Sequence, residues 1–256
     1  MSFFASPRLL SVGVVLLSTM TVGFADQILF ERDLPSLNIN TGASRSNYAP
    51  VNTGTVNGLP YILGDDFSLG GSGMYFVNTI TLYVVLGTPG DSFAQEISGL
   101  TLYGGTDASL SALSSTFASQ QVKYAGTLNY QSQANANNFL NVYSVTFSNL
   151  NWLVSGGTFY DFALSATTIG SNTLALSAST NPPNSSSGGI QNGPDGTYLL
   201  FTKTGAAPYV LTASCNCNPG EDINVVISGN ATPEPSTFAL MGMSGLAVVG
   251  LRRRKK

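Results

Sequence analysis

Thirteen carboxylates and no histidine set the chemistry open to this chain. Without imidazole there is no Ser-His-Asp or Cys-His nucleophile and no histidine-ligated zinc. Catalysis would fall to a carboxylate pair, as in a glycosidase, with the two groups about 5 to 9.5 Å apart across a cleft. The candidates are Asp65, Asp66, Asp91, Glu96, Asp107, Asp161, Asp195, Glu221 and Asp222, and no spacing pairs any two of them. Most stand beside glycine or proline, where aspartate is favoured as a turn former. The sequence therefore does not read as that of an enzyme. Hard cations want several carboxylate and carbonyl oxygens converging on one loop. Calcium could bind at Asp65 and Asp66, or in the loop 218–224 with Glu221 and Asp222. The same residues also read as turns or solvated faces, and no other cofactor is indicated.

Cys215 and Cys217 flank Asn216. A bond between them would close a very small ring, outside usual disulfide geometry. The alternatives are that unusual local disulfide, an intermolecular link, or free thiols. Two thiolates also suit a soft metal, although without a further Cys or His the ligand set is incomplete.

The most specific pattern lies at the C-terminus. Thr232, Pro233, Glu234, Pro235 and Ser236 lead into an apolar stretch, 238–251, and then into Arg252, Arg253, Arg254, Lys255 and Lys256. Fourteen helical residues reach about 21 Å, at about 1.5 Å each. A bilayer core of about 30 Å normally takes about 20, and Gly242, Gly245 and Gly250 weaken the helix further. The terminal cations stay in the cytoplasm, so everything before Pro235 lies on the far side. Pro233 and Pro235 keep the backbone extended there, in a form suited to a membrane protease.

In order and position these parts resemble the PEP-CTERM sorting signal, which membrane proteases called exosortases recognise in certain Gram-negative and related bacteria. The resemblance covers residues 231–256, about a tenth of the chain. It implies Pro233, Glu234 and Pro235 as the sorting motif, 238–251 as a transmembrane helix, and Arg252 to Lys256 as the membrane stop. It also implies an exosortase-type protease as partner. An ordinary C-terminal anchor is the alternative. A glycosylphosphatidylinositol signal would end in a hydrophobic tail.

The N-terminus agrees. Arg8 precedes an apolar run, 9–22, and Gly23-Phe24-Ala25 offers small residues where signal peptidase inspects the chain. Residues 1–25 read as a signal peptide, cleaved between Ala25 and Asp26. An uncleaved anchor is the alternative. Between Asp26 and Ala231 stand twelve acids and four bases (Arg32, Arg45, Lys123, Lys203), a balance of −8. Binding to nucleic acid or to anionic membranes needs clustered Lys and Arg, so neither is expected.

Residues 26–230 read as one all-β domain, an antiparallel, jelly-roll-like β-sandwich. Phe76, Ile80, Leu82, Val84 and Leu86 fall on one face of a strand, with Thr79, Thr81 and Tyr83 on the other. Phe139, Tyr143, Val145 and Phe147 alternate likewise, as do Ile223, Val225 and Ile227. Further strands are expected over 99–103, 122–130, 159–166, 173–177, 198–203 and 209–212. Gly104-Gly105 and Gly156-Gly157 read as turns. The spacing of Leu110, Leu113 and Phe117 predicts a short helix over 107–119, and 131–138 and 181–189 read as loops. Asp65-Asp66-Phe67, Gly157-Thr158-Phe159 and Gly196-Thr197-Tyr198 resemble segments of PEP-CTERM cargo domains.

Trp152, Tyr83, Tyr103 and Tyr130 raise sugar stacking, against the commoner role of aromatics in packing. The resemblance implies an exported protein, held transiently in the inner membrane and then at the cell surface or in the extracellular matrix. There it would have a structural or adhesive role linked to exopolysaccharide and biofilm, with polysaccharide or matrix proteins as partners. The alternative is a lectin-like carbohydrate-binding module, with or without calcium.

Overall fold

The computed structural model describes residues 26–32, 46–51, 55–88, 91–114, 122–132, 135–170, 174–179, 198–215 and 222–232. Among them, strands form two antiparallel sheets, of nine and seven strands. The first follows the order β1 (Gln27–Arg32), β16 (Val225–Ala231), β5 (Met74–Leu86), β12 (Leu174–Ser179) and β15 (Asp222–Ile223). β2 (Ser46–Val51), β8 (Val122–Ser132), β9 (Asn135–Phe147) and β10 (Trp152–Ser155) join it at the sides. The second runs β14 (Val210–Cys215), β13 (Tyr198–Thr202), β4 (Leu59–Ser68), β11 (Phe159–Thr168), β6 (Ile97–Thr106) and β7 (Ser109–Ser114), with β3 (Thr55–Val56) on β4. A four-residue helix, α1 (Phe93–Glu96), precedes β6.

The period-2 pattern explains the main core. Alternate residues of one sheet (Ile80, Leu82, Val84, Val225, Ile227) meet alternate residues of the other (Leu63, Phe67, Leu100, Leu102, Phe162, Leu164), as face-to-face sheets require. Phe67 sits among rings, 5.6 Å from Trp152 and 6.0 Å from Phe30. Trp152 therefore packs rather than presents a face.

The second sheet curls until its ends touch. The Leu110 N–H donates to the Tyr209 carbonyl (2.8 Å), and the Leu211 N–H donates to the Asp107 carbonyl (2.9 Å). The curl encloses a second apolar cluster of Ile62, Leu110, Ala163, Leu199 and Phe201. Both faces of this sheet are thus buried.

That closure explains one correction. The helix expected over 107–119 is not formed in its described part. Residues 107–108 turn, and Ser109 and Leu110 pair with Thr106 and Gly105. Residues 115–119 lie outside the described residues. Three residues apart, Leu110 and Leu113 face opposite sides of a strand, and here both sides are apolar. The Gly104-Gly105 turn is a second correction, since both glycines lie inside β6. A Cβ at Gly104 would meet Leu113 and, at 3.0 Å, Trp152, so the glycines admit neighbours rather than bend the chain.

Phe76 is the third correction. Expected on the same face as Ile80 and Leu82, which are fully buried, it is 42 % exposed, while Val77 is fully buried. The register of β5 on β16 slips between Ser228 and Gly229, so that Thr79 and Val77 are successive partners and Asn78 bulges. One extra residue reverses the side-chain phase. The expected strand over 173–177 is β12, at Leu174–Ser179. The loops 131–138 and 181–189 also fared differently: Gln131 and Ser132 end β8, and β9 starts at Asn135, whereas 181–189 lie outside the described residues.

Candidate functional site

β1 carries Phe30 and Arg32 two residues apart, so both point between the sheets, and Arg32 is 3 % exposed. A guanidinium withdrawn from water costs several kcal/mol unless it is paired. Its Nη1 donates to Asp65 Oδ2 (2.9 Å) and to the Ile223 carbonyl (3.0 Å). Its Nη2 lies 3.3 Å from Asp222 Oδ2, and the Phe30 ring stacks at 5.5 Å. Asp65 also accepts the Ile223 N–H (2.8 Å) and the Asp66 N–H (2.9 Å). Asn224 donates to the Arg32 carbonyl (3.4 Å) and accepts from Ser177 Oγ (3.0 Å). The knot joins β1, β12 and β15 of one sheet to β4 of the other. Burial pushes the Asp65 carboxyl well above its usual range. Arg32 opposes that shift, and the charges of Asp222 and Asp66 add to it.

Of the proposed calcium ligands the structure brings Asp65 and Asp222 together, but around a cationic side chain. Asp65 and Asp222 turn to Arg32, and Asp66, next along β4, points to the other face. Glu221 lies outside the described residues. Among the described residues no group of three or more acidic or cysteine side chains is arranged to hold a metal ion.

A second acidic group lies on the enclosed side of the curled sheet. Asp161, in mid-β11, pairs with Asp66 on β4 and with Gly105 on β6. Like Asp65 and Asp66 it is a strand residue, not a turn former. It is 2 % exposed, and its Oδ2 has no hydrogen-bond partner. Burial raises its pKa, and the charge and hydrogen bond of Asp107 and the charge of Asp66 raise it further, to about 8. Asp161 is thus a neutral acid at pH 7. One proton held between two carboxylates is what a carboxylate-only hydrolase would need, but here the acid is enclosed.

Glu96 is fully buried. It accepts the N–H groups of Gly87 (3.1 Å) and Thr88 (3.0 Å), fastening the turn after β5 to α1. Burial raises its pKa, and those two N–H groups oppose the rise. Asp195 lies outside the described residues. Tyr103 packs edge-on against Tyr209 at 5.0 Å, and Tyr83 packs against the Val85 cluster. The side chain of Tyr130 lies outside the described residues, as does Cys217. Cys215 ends β14, paired along the backbone with Tyr198.

Sequence reasoning missed Arg32 and the pairing of Asp161 with Asp107. The signal for Arg32 was there: one of four cations in a domain of twelve acids, two residues from a phenylalanine on the same side of an alternating run. Nothing local marks Asp161, because the curl that buries it is made by residues about fifty positions away on each side.

The two termini of the described domain meet at one end. Asp26 Oδ1 accepts from Asn78 Nδ2 and Asn230 Nδ2, both at 2.7 Å, and Gln27 pairs with Gly229. Ala231 pairs with Tyr75. The Thr232 N–H and Oγ1 donate to the Met74 carbonyl at 2.8 and 3.0 Å. Ala25, Pro233, Glu234, Pro235 and Arg252 to Lys256 lie outside the described residues. So does 238–251; among the described residues no helix is long and apolar enough to cross a membrane.

Residues 231–255 match the family model of the PEP-CTERM protein-sorting motif. The match begins on the last residue of β16. No curated protein and no solved structure matches the chain. PEP-CTERM domains are processed by exosortase, a membrane protein. The motif marks an exported protein that passes through a membrane for sorting.

Proposed function

We propose that this chain, exported and sorted through the PEP-CTERM motif at its C-terminus, is a structural or adhesive protein of the cell surface or extracellular matrix, in the setting of exopolysaccharide and biofilm. Residues 1–25 act as a signal peptide removed by signal peptidase before Asp26. Pro233, Glu234 and Pro235 mark where exosortase acts, and 238–251 with its basic stop holds the chain in the inner membrane until then. The 26–230 domain, jelly-roll-like in outline, is what is delivered.

One observation carries this reading: the motif begins on the last residue of β16, so the sorting tail can be lost without loss of a strand. A non-catalytic role is supported by how the carboxylates are used. Asp65 and Asp222 neutralise Arg32, Glu96 holds a turn, and the buried Asp161 is hydrogen-bonded to Asp107.

Mass spectrometry of the native C-terminal peptide, from cell-surface and culture fractions, tests the reading. Loss of everything after the Pro233-Glu234-Pro235 box is expected. An intact Lys256 in both fractions would overturn release into the matrix.

A further inference from the structure

Only the inner face of the first sheet packs on the second, so its outer face should be polar wherever it is uncovered. Apolar residues near Val85, Val142 and Ala175 are buried, but at the opposite end apolar side chains are exposed. Phe76 is 42 % exposed and its ladder partner Leu153 46 %, with Met74 at 37 % two residues along β5 and Ile28 at 45 % on β1, across β16. The causes are local. The bulge at Asn78 turns Phe76 outward, and a register slip between Ile28 and Phe30 does the same for Ile28. Phe159, 45 % exposed, starts β11 at the same end of the second sheet, just after the Gly156-Gly157 turn that bonds back to Gly73 and Leu69.

This is also the end from which the chain departs, since Thr232 is bonded to the Met74 carbonyl. Five residues, 233–237, separate Thr232 from Phe238, where the apolar stretch starts; fully extended, the six steps reach about 20 Å at most. A bilayer that holds 238–251 therefore lies within that distance of Met74, Phe76 and Leu153. Apolar side chains held so close lower their free energy by leaving water for the lipid interface. The charge at this end is acidic, from Asp26 on the first sheet and Asp66 and Asp107 on the second, so anionic headgroups would be repelled.

We propose that this end of the domain, centred on Phe76 and Leu153 and flanked by Met74 and Ile28, is a docking face for the zwitterionic lipid surface into which the tail descends. The inference rests on the reading that 238–251 is membrane-inserted. Docking holds residues 233–237 against the membrane surface, within reach of a membrane protease, and removal of the tail frees the face.

The test uses the intact chain in phosphatidylcholine vesicles with bromine on the upper acyl carbons, comparing Leu153→Trp with Ile169→Trp. Ile169 is 43 % exposed at the far end of β11, and Trp152 of the unaltered chain supplies the background. Bromine should remove about half of the emission added at 153 and little of that added at 169, as shallow interfacial burial predicts. Protection of 238–256 from added protease reports insertion of the tail separately. A protected tail with unquenched Leu153→Trp overturns the docking face alone; a digested tail overturns the inserted-tail reading and the inference with it. Emission at 153 that shifts with protein density but ignores bromine would assign the face to a second copy, and overturns lipid. Should Leu153→Trp fail to fold, Phe76→Trp on the neighbouring strand gives the same comparison.

Discussion

Replacing Arg32 with methionine keeps much of its volume and removes the cation that faces Asp65 and Asp222. Two buried carboxylates then lose their counter-ion, and Arg32→Met should cost about 3 to 5 kcal/mol in urea melts. Adding Asp65→Asn and Asp222→Asn should restore part of that loss, because amides carry no charge to strand. Asp161 acts in the other direction. In the fold it stays protonated up to about pH 8, whereas its ordinary value is 3.8. Between these values the unfolded chain binds fewer protons, so stability is full below the lower one and falls as pH rises through the upper. Asp65 and Glu96, both raised by burial, act with the same sign. The melting temperature should therefore be lower at about pH 8 than at about pH 5, and Asp161→Asn should make that fall shallower. An unchanged slope in the variant would remove Asp161 as its source.

At the scale of the element, the bulge at Asn78 decides which of two adjacent apolar residues is core. Val77→Ser should cost about 2 to 4 kcal/mol and Phe76→Ser under about 1, the reverse of what strict alternation along β5 predicts. Thermal melts of the two variants distinguish the registers. Gly229 belongs to the same feature. A Cβ there would press on the Phe76 carbonyl and meet the Val77 Cα at 3.0 Å, and backbone cannot yield as a side-chain tip can. Gly229→Ala should lose about 2 to 3 kcal/mol by equilibrium unfolding. The helix expected over 107–119 failed in its described part, 107–114, for a related reason. A short serine-rich run with leucines three apart has weak intrinsic preference, and an open strand edge that buries Leu110 on one side and packs Leu113 on the other outweighs it.

For the whole molecule, pairing of β1 with β16 joins the first and last described strands, 202 positions apart at Gln27 and Gly229. The domain cannot close until both have arrived in one compartment, and the sorting tail follows the last of them at once. The described core ends with β16. A chain of residues 26–232 should therefore melt within about 2 °C of one that also carries the tail, by calorimetry in detergent. Removing Val225–Ala231 as well should abolish the cooperative transition, because it leaves β1 unpaired and strips one side of β5. A tail-dependent melt would show that 233–256 belong to the fold.

The sequence alone determined what is written in short, contiguous patterns. Alternation placed β5, β9, β11 and β16. The proline box with its short apolar span and basic end marked the sorting signal, because export and processing machineries read extended local segments. The tertiary structure decided what depends on residues distant in the chain. Arg32 meets Asp65 and Asp222 because β1, β4 and β15 converge between the sheets, and Asp161 is neutral because β7 and residues 209–211 close over it. Phe76 faces outward because a single bulged residue reverses the phase of a strand. Burial, pairing and protonation are properties of a three-dimensional neighbourhood, and in a fold of long-range ladders that neighbourhood is assembled from the whole chain.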